Sequence, residues 1–212
     1  MSPGTHRARP RGARSVARAV VLLARDRRVV GSVLVAWVGG GALWCVAAVM
    51  DSAGAARACG QLVVALAVAA AGHGLAGSDL DLDRAGALPW RSVRALHAAS
   101  IVALAFCLVL ASHVGGQGLG PLAEAGRNAV GSGGVLTIGA VTLGANRAWI
   151  GPVVWLGSAP RIAYELFPVS PPWWGQALTW SAQPGGSTAA LLTAVALGVT
   201  GVVAYTVRGP RQ

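Results

Sequence analysis

The sequence contains no lysine: all 17 of its basic residues are arginine. A P-loop of the form G-x-x-x-x-G-K-[ST] needs the lysine that reaches the phosphates, and a Schiff-base enzyme needs a lysine amine, so neither chemistry belongs to this chain. Charge of either sign is scarce, at 11% of 212 residues, where a soluble protein carries roughly 25%. Three cysteines, Cys45, Cys59 and Cys107, make an odd set without C-x-x-C spacing. They exclude a disulfide scaffold and a zinc site and read as packing residues.

What fills the chain instead is apolar surface, with 54% hydrophobic residues and a mean hydropathy of +0.59. The net charge of +10 does not follow a nucleic-acid-binding motif, because the arginines lie between and beside long apolar runs. That placement is the signature of membrane topology rather than of nucleic acid. The composition predicts an all-α, polytopic membrane helix bundle in the lipid bilayer.

Val29 to Met50 is a charge-free run of 22 residues, about 33 Å of helix and enough to cross the hydrocarbon core. Further runs extend from about Ala58 to Gly77, Val93 to Val114, Asn128 to Asn146 and Ser187 to Val207. Trp149 to Phe167 is interrupted by Pro152, Pro160, Arg161 and Glu165 and reads as a broken fifth span. Six spans with the N-terminus inside place 14 arginines in or beside cytoplasmic segments, against Arg57, Arg127 and Arg161 outside. The positive-inside rule then puts both termini in the cytoplasm of a plasma-membrane protein.

The organisation expected is a basic tail at residues 1–12, an amphipathic interfacial helix at 13–28, a six-span region at 29–207 and a cytoplasmic tail at 208–212. At 100° per residue Arg14, Arg18 and Arg25 fall within about 40° of one another, with Val16, Val20 and Leu23 opposite. Such a helix lies along the inner leaflet. Ala19 to Ala24 is too short for the apolar region of a signal peptide.

No catalytic constellation and no metal site emerge. Asp79, Asp81 and Asp83 start a D-x-D-x-D pattern, but Arg84 and Trp90 stand where a calcium loop needs Gly and Glu. In this polar loop, Leu88 and Trp90 among alternating charges fit docking into a partner's groove; a solvated connection is the alternative. His73 and His97 could ligate a haem between the second and third spans, with His113 at the other face. His73, Thr137, Thr142 and Asn146 are the polar side chains available to line a path, although hydroxyls are often satisfied by their own helix. Trp173, Trp174 and Trp180 suit the membrane interface, and Arg161 and Glu165, four apart, can pair on one helical face.

Taken in order, these features comprise a basic interfacial helix, two spans, a charged inner loop, three spans with the fifth broken, a Trp-rich outer segment and a final span. With the local runs Leu88 to His97, Arg127-Asn128 and Ala204 to Gly209, the chain resembles the permease subunits of type-2 ABC exporters, especially short actinobacterial ones. The resemblance implies contact with a separate ATPase subunit through the interfacial helix (Arg14, Arg18, Arg25) and through a coupling loop comprising Asp79, Asp81, Asp83, Arg84, Leu88, Trp90, Arg91 and Arg94. It also implies a re-entrant outer segment from Pro160 to Pro184, which includes Arg161, Glu165 and the three tryptophans. A second permease copy is implied as a partner, and a drug or peptide as the exported substrate. ATP would be bound by the partner subunit, so no cofactor and no enzymatic activity are expected of this chain. A stand-alone haem-binding subunit or a membrane scaffold is the alternative.

Overall fold

A computed structural model describes residues 29–72, 74–75, 90–116, 118–167 and 169–211. The interfacial helix expected at 13–28 lies outside them. All regular structure in the described residues is helical: α1 (Val29–Met50), α2 (Ala53–Gly72), α3 (Trp90–Val114), α4 (Leu122–Thr142), α5 (Ile150–Leu166), α6 (Trp173–Leu178) and α7 (Thr188–Arg208). Two 3-10 turns, Ala145–Arg147 and Trp180–Ala182, complete the inventory. Four helices, α1, α2, α3 and α7, are long and apolar enough to cross a membrane. At about 1.5 Å per residue each covers at least 30 Å.

Neighbouring helices alternate in direction. Gly39 of α1 meets Leu66 of α2, and Gly40 meets Val63, so these two run antiparallel. The same holds for α3 and α4, where Val102 lies over Gly133 and Phe106 over Gly126, and for α4 and α5, where Val135 meets Gly151 and Ala148 meets Gly139. In contrast α4 and α7 run parallel, with Val130 near Gly198, Thr137 near Gly201 and the Ala140 carbonyl bonded by the Arg211 amide at 2.8 Å. Chain reversals at 51–52, 115–121 and 167–187 therefore gather at one end of the bundle, termed here the upper end. Residues 74–75, 143–149 and 209–211 gather at the lower end.

The local chemistry explains the upper reversals. Asp51 adopts φ 41°, a left-handed conformation that aspartate tolerates, and Ser52 caps α2 by accepting the Ala55 amide at 3.1 Å. Two residues thus suffice to turn α1 into α2. Ser187 caps α7 in the same way through the Ala190 amide at 3.2 Å.

Two sequence expectations change. The fifth segment is one continuous helix of 17 residues rather than a broken one. Pro152 falls in its first turn, where the missing N–H has no intrahelical partner to lose, and Pro160 removes only a single bond from the ladder. The second and fourth helices also begin earlier than the charge-free runs, at Ala53 and Leu122, because Arg57, Glu124 and Arg127 lie inside helices.

Helix α4 occupies the centre, packed on α2, α3, α5 and α7. Where it crosses α7 the contact is glycine on glycine. A Cβ at Gly134 would stand inside the backbone of Leu197 and Gly198, and one at Gly201 inside Gly134 and the Thr137 hydroxyl. Only glycines let the two backbones approach this closely.

Candidate functional site

The polar groups converge at the upper end, around the first turns of α4. Arg127 projects from α4 and is only 4% exposed. It reaches the turn that leads into α7, 54 to 57 residues further along the chain. Its Nη1 donates to the Pro184 carbonyl at 2.9 Å and its Nη2 to the Gln183 carbonyl, with a longer approach of Nη2 to the Ser181 carbonyl at 3.5 Å. The planar fork of the guanidinium suits this task, since one side chain serves several carbonyls in fixed directions.

The Ser181 carbonyl is a second node. It accepts from Asn128 Nδ2 and from Gln61 Nε2, each at 3.1 Å, so that α2, α4 and the Trp180–Ala182 turn meet at one oxygen. Two donors fill the two lone pairs of a carbonyl. Glu124, also buried, accepts from Arg57 Nε at 3.0 Å and lies near enough to Arg127 for their charges to attract. Two arginines and one glutamate leave the cluster with one net positive charge.

The segment held by this cluster is itself tied together. Thr179 donates to the Gly175 carbonyl and accepts from Gln183 Nε2, both at 2.7 Å, and Ser187 donates to Gln176 Oε1 at 2.7 Å. Trp180 lies beneath it, 2% exposed, with its ring against Gly131 of α4. The expectation of an interfacial Trp180 is corrected: an absent side chain at Gly131 opens a slot that takes the whole indole, and the ring is held in the bundle. Trp173 and Trp174 are exposed, and Trp174 stacks edge-on against Phe167 at 5.2 Å. Arg161 Nε and Glu165 Oε1 pair at 2.8 Å on the surface of α5.

The other expected residues do not converge. Thr137 is buried, yet its hydroxyl donates back to its own helix at Gly133 and Gly134. Thr142 is exposed and donates to Ile138, and Asn146 is exposed in the lower 3-10 turn. These three hydroxyl and amide side chains do not meet one another in the structure. His73, Asp79, Asp81, Asp83, Arg84 and Leu88 lie outside the described residues, as do Arg14, Arg18 and Arg25. Trp90 is half-buried as the first residue of α3, Arg91 beside it is exposed, and Arg94 is half-buried. Among the described residues no three His, Cys, Asp or Glu side chains gather as metal ligands.

Sequence reasoning did not assign Arg57, Gln61, Glu124, Arg127 or Asn128 to a site. A signal was present in α4, where an E-x-x-R-N pattern at Glu124, Arg127 and Asn128 puts three strongly polar groups at the start of an otherwise small-residue helix. Chemically the cluster contains no nucleophile paired with a base. What it does is fasten the α5–α7 connection to the two helices beneath it. No protein-family model matches the chain, and neither a curated protein nor a solved structure does.

Proposed function

We propose that the chain is the membrane-spanning subunit of an ATP-driven exporter of the type-2 ABC class. In this reading α1 to α5 and α7 cross the plasma membrane six times, with both termini in the cytoplasm. A separate P-loop subunit binds and hydrolyses ATP, a second permease copy completes the pathway, and a small molecule or peptide is moved outward, as a drug or bacteriocin in efflux or self-protection.

The observation that carries this reading is the α5–α7 connection. It is a folded helix and turn at the upper end, seated on α4 and held by Arg127, rather than a free loop. A re-entrant outer element between the fifth and sixth spans is what the resembled family has at this place. The charge distribution supports the orientation. Among the described residues the lower end carries Arg91, Arg94, Arg147, Arg208 and Arg211, against Arg57, Arg127 and Arg161 at the upper end. An excess of arginine marks the cytoplasmic face.

The test is biochemical. The neighbouring reading frame is expected to encode a P-loop ATPase, and the two proteins should co-purify in mild detergent and export substrate from inverted vesicles only with ATP. A chain that purifies alone and transports without ATP excludes the assignment.

A further inference from the structure

Helices α3, α4 and α7 leave between them an apolar groove of about 330 Å³. Ala98 and Val102 form one wall, Val199 and Val202 the other, and Gly133 and Gly134 the floor. The groove follows from the glycine crossing: α4 has no side chains at these positions to fill the angle between its neighbours.

At the lower end the groove meets a cation. Arg94 lies one helical turn before Ala98 and so on the same face of α3. Its guanidinium rests against Gly209, the cap of α7, where an added Cβ would come within 3.0 Å of both terminal nitrogens. Arg94 Nε and, a turn further on, Trp90 Nε1 are buried without an acceptor among the described residues. Withdrawing a charged donor from water without an acceptor is costly. The structure thus has an apolar trough that ends beside N–H donors without an acceptor among the described residues, one of them cationic, at the arginine-rich end of the bundle.

We propose that this groove holds an acyl chain of an anionic phospholipid, whose phosphate oxygens accept from Arg94 and lie beside Trp90. Shape and charge together select this occupant: the groove is apolar along its length and ends beside a guanidinium, which matches an acyl chain carrying an anionic phosphate head. The inference goes beyond the transport reading and stands without it.

The experiment is native mass spectrometry of the full chain in mild detergent, titrated with phosphatidylglycerol or with phosphatidylcholine of the same acyl chains. Wild type should retain phosphatidylglycerol about tenfold more tightly, the scale of one charge-assisted hydrogen bond to a partly desolvated cation. Arg94→Gln should abolish that preference. Val199→Phe should weaken both lipids by filling the groove, while Val38→Phe, on α1, which does not line the groove, should behave as wild type. Val199 and Val38 are 59% and 73% exposed, so neither substitution threatens folding, and these arms decide the matter even if Arg94→Gln does not fold. Equal retention of the two lipids by wild type overturns the proposal. So does displacement of phosphatidylglycerol by millimolar inorganic phosphate, which needs only an anion site, or a dimer that Val199→Phe dissolves, which makes the groove a contact between copies.

Discussion

Replacing Arg127 with Met tests whether the upper cluster holds the α5–α7 connection in place. Two bonds at short range are lost, to Gln183 and Pro184, while Ser181 keeps its donors from Asn128 and Gln61. Hydrogen bonds from a charged group contribute about 1.5–3 kcal/mol each. Part of that sum returns, because Met is buried without the desolvation cost of a guanidinium. The balance is a loss of about 3 kcal/mol, or roughly 150-fold in the unfolding equilibrium. Arg127→Lys retains a charge but reaches one carbonyl instead of two and should lose about half as much. The exposed pair on α5 is the control: Arg161→Ala should cost no more than ~0.5 kcal/mol. The assay is reversible unfolding in mixed micelles followed by circular dichroism, with protease cleavage between Thr179 and Ser187 as a local reporter. A Met variant within about 0.5 kcal/mol of wild type, with cleavage unchanged, refutes the idea that Arg127 fastens this segment.

Gly201→Ala should cost ~1–3 kcal/mol in the same unfolding assay, since its Cβ meets the Gly134 backbone of α4 as well as the buried Thr137 hydroxyl, and the backbone cannot move aside. Val203→Ala, at an exposed neighbour, should leave stability near wild type. A reporter fused after Gln212 should give the opposite signal to one placed within Gly115 to Gly120, and Asn146→Cys, made with the chain's own three cysteines replaced, should label from the same side as the C-terminus. Labelling of Asn146→Cys from the opposite side leaves α4 and α5 short of crossing. Leu88→Ala should weaken co-purification with the ATPase by about tenfold, the loss of one modest apolar anchor, without changing membrane insertion. Trp90→Ala separates coupling from stability less cleanly, because that ring is half-buried at the start of α3.

The helices legible in the sequence were those whose apolar runs meet no charge, as at Val29 to Met50 and Ser187 to Val207. Reading failed where a charge had a partner far away in the chain. Arg57 and Glu124 are 67 residues apart, yet their pairing lets each sit within the first turns of a helix that a charge-free run cannot include. Trp180 was read by residue type as interfacial, and its burial depends on a glycine 49 residues earlier, which no local pattern announces. Pro160 was read as a break because proline is disfavoured inside helices, although one absent N–H does not end a helix that packs along its length. The pairing of Arg161 with Glu165 was legible for the opposite reason: it is local, four residues apart on one face.

Helix α4 shows why hydropathy and depth in the bundle part company. Thirteen of its 21 residues are buried, and these include Glu124, Arg127, Asn128, Ser132 and Thr137. It falls outside the set of helices that qualify as spans by apolar content, while α1, with large apolar side chains facing outward, qualifies easily. Lipid demands apolar side chains only of surfaces that face it; between helices the demand is for close approach and satisfied polar groups. Helix α3 runs up to the upper end, and α7 starts down from it. The chain between them descends along α4, beside and parallel to α7, and returns along α5. If α3 and α7 cross the bilayer, α4 is carried through the same thickness by its contact with α7 from Val130 to Ala140, and its buried hydroxyls, Ser132 and Thr137, meet protein rather than lipid on the way.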